Sequence, residues 1–261
     1  MVYTYENPSP EYKIALELGK QFQRENKTFT GRHCFQSFPL FKALIAKHNS
    51  RTLLDFGCGK GEQLTYKDIR LLDHKDRDEK TIYPSWQTAL GVGEYYMYDP
   101  CVPQYEKLPT KKYDCTICTD VLEHITTQDM PWVLDQMFSL TNQWVYASIA
   151  LFLGKKILAD GSYAHKAQLS LEEWVKLWWE TGRRYPHVEW HTRIEVDVPP
   201  ITHRYFTGQG EEWEEGERFW KIWKPSQLEA LTEKQRIEME QAARAQRAPL
   251  DPRAFGKNRN S

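Results

Sequence analysis

A glycine-rich turn directly after a short apolar strand is the feature that most constrains the fold. The strand is predicted over residues 52–56, and it runs into the segment Gly57–Gly61, with the sequence GCGKG. Glycines at alternate positions let the backbone turn tightly and approach a ligand closely. In doubly wound α/β sheets such a turn lies at the carboxyl end of the first strand, where nucleotides bind. The sequence therefore predicts an α/β fold with a nucleoside-type ligand at this turn.

The spacing of the glycines limits what that ligand is. A dinucleotide fingerprint has its third glycine one position later, where this chain has Glu62. The fingerprint presents a helix N-terminus to a pyrophosphate, and a carboxylate in that first turn would repel it. We therefore expect a nucleoside ligand without phosphates, which disfavours a nucleotide-dependent oxidoreductase or epimerase.

Length and charge bound the function classes further. The 261 residues, of which 40% are hydrophobic, allow one large domain or one domain with an extension. The 35 basic and 36 acidic residues give a net charge of -1, so no bulk attraction to nucleic acid is implied, although a local basic patch stays open. No apolar run reaches the roughly 18 residues of a membrane-spanning helix, and the N-terminus lacks the pattern of a secretory signal.

The five cysteines are odd in number and scattered, which is typical of reduced thiols. We therefore expect a cytoplasmic protein with no membrane partner. Cys115 and Cys118 form a CxxC pair, but they lie in a predicted strand, where an offset of three residues points the side chains to opposite faces. Since the sequence has no second pair, we expect no metal site.

Strands and helices alternate along most of the chain, which predicts a doubly wound, mostly parallel seven-stranded Rossmann-like sheet with helices on both faces. An antiparallel hairpin at 187–198 and 201–206 forms its predicted edge. A capping box at Ser170 and Glu173 begins a helix that we expect to end before Gly182. The other predicted elements are helices at 9–26, 38–47 and from 129, and strands at 95–98, 113–120 and 144–151.

Three regions are expected along the chain. Residues 1–50 form N-terminal helices that cover the ligand site, and residues 51–206 form the main domain, with a charged insertion at about 66–94. Residues 207–261 contain an acidic loop, a C-terminal helix and a flexible tail. The C-terminal helix has few large apolar residues, so it packs weakly or contacts a partner; the oligomeric state stays open.

Two sequence blocks and a looser third one resemble the class I S-adenosylmethionine-dependent methyltransferase family. Residues 53–61 match its glycine motif, hh[DE]xGxGxG, throughout. Residues 113–125 are similar to its fourth strand with the D-V-L-E-H continuation, and His165 followed by residues 169–174 is similar to a histidine and helix start after its fifth strand. The resemblance covers roughly residues 36–206.

The resemblance implies S-adenosyl-L-methionine as the cofactor, bound by the turn residues Gly57, Cys58, Gly59 and Gly61. In the family an aspartate at the position of Asp55 holds the glycine turn near the methionine end of the cofactor.

An acidic residue that closes the second strand binds both ribose hydroxyls in the family. Asp99 is our candidate, with Asp73 as a competitor at the more usual spacing. Thr119 and Asp120 would face the methionine portion.

Methyl transfer to a hydroxyl needs an aligned acceptor and a group that removes its proton. The motifs bring two imidazoles, His124 and His165, near that point, and either one could be the base or a structural residue. Glu123 is expected to cap or pair locally. The lysine pair at 155–156 and the arginine pair at 183–184 are solvated surface charges, or they bind an anionic substrate.

The leading functional hypothesis is methylation of a small molecule, sugar or nucleotide-linked metabolite. A nucleic-acid methyltransferase is the first alternative, and the net charge disfavours it. Residues 120–123 also disfavour it, because they read D-V-L-E, whereas enzymes that methylate exocyclic amino groups typically have [DN]-P-P-[YF] at this place. The second alternative is a non-catalytic relative that binds the cofactor and serves as a partner subunit.

Overall fold

The computed structural model of the chain describes residues 2–26, 28–72, 80–152, 154, 156–196 and 202–215. Short apolar runs form the strands in the middle of the chain, because β-branched and aromatic residues favour extended structure. The strands are β1 (Thr52–Phe56), β2 (Ile69–Leu72), β3 (Lys80–Tyr83), β4 (Glu94–Tyr98), β5 (Tyr113–Thr119), β6 (Thr141–Ala150), β7 (Glu189–Val196), β8 (Thr202–Gln209) and β9 (Glu212–Glu215).

Seven of these strands form one sheet in the order β4-β1-β5-β6-β7-β8-β9. The pairings from β4 to β7 are parallel, while β7 with β8 and β8 with β9 are antiparallel. The predicted mostly parallel, seven-stranded sheet with an antiparallel edge is confirmed. Strands β5 and β6 are almost entirely buried because helices and loops cover both faces of a parallel sheet.

The helices begin where the sequence provides caps. Ser9 accepts a hydrogen bond from the Tyr12 N–H at 2.9 Å at the start of α1, and Ser170 with Glu173 forms the predicted capping box of α6. The helices are α1 (Pro10–Glu25), α2 (Phe38–His48), α3 (Glu62–Thr65), α4 (Trp86–Leu90), α5 (Met130–Ser139) and α6 (Leu171–Arg184).

Two apolar clusters lie on the two faces of the sheet. Neighbouring residues of β1 alternate between them, Leu53 in one and Leu54 in the other. Cys115 and Cys118 of β5 are likewise divided between the two clusters. The CxxC pair therefore points to opposite faces of the sheet, as expected, and both thiols are buried and unpaired.

Two boundaries differ from the sequence predictions. The expected acidic loop after residue 206 contains β9, whose pairing with β8 makes it the seventh strand, so the sheet extends past the predicted domain end at 206. Helix α6 continues through Gly182 to Arg184. Gly182 is a packing residue, because a Cβ there would lie 2.6 Å from the Trp190 ring.

The predicted insertion contains structure of its own. Strands β2 and β3 form a separate antiparallel pair, and Trp86 of α4 is fully buried, with its ring packed against Phe35 and Phe38. The chain then returns to the main sheet as β4, next to β1. The charged cluster at 73–79, which includes Asp73, and the expected C-terminal helix lie outside the described residues. In the part of the chain that the structure describes, no helix is long and apolar enough to cross a membrane.

Candidate functional site

A cavity of about 600 Å³ opens at the carboxyl ends of β1, β4 and β5. Small-molecule sites are typically roughly 300–1,000 Å³, and this edge is where doubly wound sheets bind their ligands. Helix α1 and residues 28–33 also contribute to its wall. The predicted site residues that line the cavity are Gly57, Gly59, Asp99, Thr119, Asp120, His124 and His165.

The glycine turn needs glycine for steric reasons. Gly57 and Gly59 have φ values of 86° and 58°, in the region that residues with a Cβ rarely adopt. A Cβ on Gly59 would lie 2.2 Å from the Phe29 carbonyl oxygen. That carbonyl accepts the N–H of Lys60 at 2.8 Å, and the Thr30 carbonyl accepts the N–H of Glu62 at 3.0 Å. The segment after α1 therefore holds the turn directly against the cavity.

Asp99 lies just past the end of β4 and contacts the glycine turn. One carboxylate oxygen accepts the N–H of Gly59 and the other accepts the N–H of Cys101, both at 2.8 Å. The side chain is buried, which raises its pKa. Its carboxylate is thus fixed at the cavity wall by two backbone groups, and its oxygens retain lone pairs for a further donor.

Asp55, Cys58 and Gly61 do not line the cavity. Asp55 lies behind the turn, where its carboxylate accepts hydrogen bonds from Tyr95 and, at 2.8 Å, from Gln63. Burial raises the pKa of Asp55 to about 6. The Gln63 amide also donates to the Cys58 carbonyl at 3.3 Å, so these residues brace the turn from its buried side.

Four polar atoms in the cavity wall are buried without a hydrogen-bond partner. Buried polar groups are normally satisfied, so these oxygens are candidate acceptors for a ligand that provides donors or positive charge. The four atoms are Gln23 Oε1, Thr28 Oγ1, Glu123 Oε2 and Gln136 Oε1.

Comparison with known families decides the identity. A family model described as a methyltransferase domain matches residues 28–196, more than half of the chain. The chain belongs to this methyltransferase family. Together with the sheet, this match identifies a class I S-adenosylmethionine-dependent methyltransferase. No curated protein and no solved structure matches the chain.

The two predicted imidazoles of the methyltransferase meet in the cavity. The ring centroids of His124 and His165 are 4.9 Å apart. Nδ1 of His124 lies 2.9 Å from the Ala164 carbonyl, and Nδ1 of His165 lies 2.5 Å from the Phe152 carbonyl. Burial lowers the pKa of His124 to about 4 and also lowers that of His165. Both rings are therefore neutral near pH 7.

Glu123, which we expected to cap or pair locally, accepts backbone hydrogen bonds from its own N–H and from that of Ala150, and it also lines the cavity. Its side chain is 2% exposed, and burial raises its pKa well above the ordinary value. One potential ligand atom from each of Glu123, His124 and His165 lies within 4.8 Å of the others. The three residues could therefore hold a metal ion, at a place unrelated to the CxxC pair.

A histidine that sequence reasoning missed also lines the cavity. Nδ1 of His33 contacts Oδ2 of Asp120, and this hydrogen bond raises the pKa of His33. Burial would raise the pKa of Asp120, but hydrogen bonds from His33 and Ser148 outweigh it and the pKa is lowered. No local motif could have indicated the pair, because His33 lies 87 residues before its partner.

The charges around the cavity are mostly acidic. Lys156 lines it, with its ammonium 3.9 Å from the Phe29 ring centroid. Arg183 and Arg184 lie elsewhere, since their guanidinium groups pair with Glu211 and Asp135. Among the residues described, the charged or acidic wall residues are Asp99, Asp120, Glu123, Glu195, Lys156 and Lys166, with no arginine.

Proposed function

We propose that this methyltransferase transfers a methyl group from S-adenosylmethionine to a hydroxyl of a small molecule, such as a sugar or a nucleotide-linked metabolite. The observation that carries the proposal is that the glycine turn, Asp99 and the imidazole groups all open into one cavity whose charged wall residues are mostly acidic. A cofactor and a compact acceptor would share this space. A nucleic acid would require a groove lined by basic side chains.

The cofactor would lie against the strand ends. Asp99 is the candidate acceptor of hydrogen bonds from the ribose hydroxyls, with its competitor Asp73 outside the described residues. The unpartnered amide oxygen of Gln136 on α5 is a candidate contact for the adenine amino group. When bound, the cofactor supplies a methyl group on a positively charged sulfur. Asp55, with Cys58 behind the turn, acts on binding only by holding the glycines in position.

Charge and aromatic rings on the wall favour a sulfonium ligand. The ionised carboxylate of Asp120 lies at the end of β5, where we expect the methionine portion and where Thr119 also lines the cavity. Aromatic rings of Tyr12, Phe29 and Trp132 line the same space. Ring faces attract cations by about 0.5–2 kcal/mol. The wall is thus suited to a cation and unsuited to a polyanion.

The proton of the acceptor hydroxyl needs a base. His33 has its basicity increased by Asp120, in the arrangement that orients a catalytic imidazole. His124 and His165 present neutral rings, which can accept a hydrogen bond from the acceptor but bind a proton weakly. We therefore infer that His33 takes the proton and that the other two imidazoles position the hydroxyl. The oxygen–carbon bond forms as the carbon–sulfur bond breaks, and its electron pair stays on sulfur.

A turnover screen tests the acceptor class. The full-length chain is incubated with methyl donor and with panels of sugars, nucleotides and short oligonucleotides at low and high salt. We expect methylation of a small hydroxyl compound, at a rate that salt changes little. His33→Gln should lower kcat, while Arg184→Gln, on a residue whose guanidinium pairs outside the cavity, should not. Preferred turnover of oligonucleotides that falls steeply with salt would refute the proposed acceptor class.

A further inference from the structure

We propose that Glu123, His124 and His165 form a binding site for one divalent transition-metal ion on the wall of the cavity. Their potential ligand atoms lie within 4.8 Å of one another. Ligands of one zinc ion lie about 3.3 Å apart, as its bonds of about 2.0–2.1 Å in tetrahedral geometry require. Modest side-chain rotations would bring the three atoms onto one ion.

The hydrogen bonds of the two histidines leave the correct nitrogens free. A carbonyl oxygen only accepts hydrogen bonds, so Nδ1 of His124 donates to Ala164 and Nδ1 of His165 donates to Phe152. In a neutral ring Nε2 then carries the lone pair. Metal-binding histidines are typically oriented in this way, with the other ring nitrogen donating to a backbone carbonyl or carboxylate.

The carboxylate supplies the independent observation. Oε2 of Glu123 is buried and has no hydrogen-bond partner, whereas buried polar atoms are normally satisfied. Lys156 and Arg193 are the competing cations, since both interact electrostatically with Glu123. The Lys156 ammonium packs against the Phe29 ring, and neither cation hydrogen-bonds to this oxygen. A bound cation would provide the partner that Oε2 of Glu123 lacks. The two neutral imidazoles beside it would act as further ligands of that cation.

The ligand set selects the kind of metal. Two imidazole nitrogens and one carboxylate suit zinc, iron, cobalt or manganese, whereas magnesium and calcium prefer oxygen ligands throughout. Three protein ligands leave at least one coordination position open, as in catalytic rather than structural zinc sites. All three residues line the cavity, so an acceptor oxygen could reach the ion.

This role deepens the proposed function and rests on it. An acceptor hydroxyl near the ion would lose its proton more readily, because a bound cation lowers the pKa of an attached oxygen. His33 would take that proton, and the methyl group would then move from sulfur to oxygen with the electron balance given above. The two cavity imidazoles would position the acceptor through the ion rather than directly. Metal binding itself does not depend on the identity of the acceptor.

The test measures metal uptake by the untagged full-length chain. The protein is stripped with a chelator and titrated with Co²⁺, whose visible absorption reports nitrogen and oxygen ligands, and then with Zn²⁺ by calorimetry. We expect one ion per chain, with affinity lowered at least about 10-fold in Glu123→Gln and His165→Gln. The matched control is His187→Gln, an exposed histidine outside the cavity, which should bind the ion as the unmodified chain does.

S-adenosylhomocysteine binding by the same metal-free samples separates the two proposals and also shows that each variant is folded. His165 is only partly buried, so its variant preserves the test if the Glu123 variant does not fold. A folded chain that takes up no Co²⁺ or Zn²⁺, or variants that bind as tightly as the control, would overturn the metal site and leave the methyltransferase function intact. A bound ion without methylation of any hydroxyl compound would instead refute the proposed acceptor.

Discussion

Replacing Asp99 tests the proposed ribose contact most directly, provided that its structural role is separated from binding. Its carboxylate accepts two buried backbone N–H groups, those of Gly59 and Cys101. Asp99→Ala leaves both without this acceptor, at about 1–3 kcal/mol each, so the free energy of unfolding should fall by about 2–6 kcal/mol. Asp99→Asn keeps one acceptor oxygen and should lose about half as much.

The binding effect is estimated from the lost charge. A hydrogen bond to a charged group contributes about 1.5–3 kcal/mol, so the Kd of Asp99→Asn for S-adenosylhomocysteine should rise about 10- to 100-fold. At a ligand concentration 100 times the original Kd, ligand stabilises the unmodified chain by about 2.7 kcal/mol, and a 50-fold weaker Kd reduces this to about 0.6 kcal/mol. In Asp99→Ala the rise in melting temperature with ligand should disappear.

Asp114→Ala is the matched control. This aspartate also accepts two backbone N–H groups, from Arg51 at 2.7 Å and Thr52 at 2.9 Å, but it lies near the start of β5, at the opposite end of the sheet. Its variant should be less stable yet keep the full ligand-induced rise in melting temperature. The reasoning would be refuted if calorimetry gave Asp99→Asn a Kd within about threefold of the unmodified chain, far less than the loss expected for a charged partner.

Three further predictions follow from the cavity and its supports. S-adenosylhomocysteine should raise the melting temperature and NAD should not; equal shifts would contradict a phosphate-free ligand. Because Asp120 raises the pKa of His33, kcat/KM should rise with pH through an inflection above about 6.5. His33→Gln should abolish this rise, and an unchanged pH profile in that variant would exclude His33 as the base. Asp129→Ala should lower the free energy of unfolding by at least about 3 kcal/mol in urea titrations, since it removes a buried acceptor of Ser9. The control Asp135→Ala, whose side chain is 40% exposed and pairs with Arg184, should lose less than about 1 kcal/mol; equal losses would contradict the argument.

The sequence predicted the parts of the fold that local patterns determine. The glycine turn followed from three residues whose conformation requires glycine, and the capping box at Ser170 followed from a spacing of three residues. The central strands were predicted because a buried parallel sheet needs continuous apolar runs. Strand β9 was missed because four residues rich in glutamate have no strand pattern, and only pairing with β8 makes them extended.

The candidate site was only partly predictable, since some of its contacts join distant segments. His33 and Asp120 meet only after the segment that precedes α2 has folded against the carboxyl end of β5, and neither residue lies in a motif shared with the other. The place of Glu123 in the cavity wall was not predicted, because the sequence does not show that the chain buries its side chain. Gly182 was misjudged for a similar reason: glycine near a helix end usually marks a stop, and here it makes room for Trp190.

Two parts of the cavity wall, the strand ends and helix α1, are held in different ways, and this difference bears on how a ligand enters. The strand ends belong to a sheet with apolar clusters on both faces, whereas α1 has no buried residue. Helix α1 is held by a few contacts along its length. Ser9 hydrogen-bonds to Asp129, the ring centroids of Tyr12 and Trp132 are 5.3 Å apart, and the Leu16 carbonyl accepts the Cys101 thiol. Elements with few buried apolar contacts open at lower free energy than the core. We therefore infer that ligands reach the strand ends when α1 moves, while the glycine turn and the strand-end residues keep their geometry.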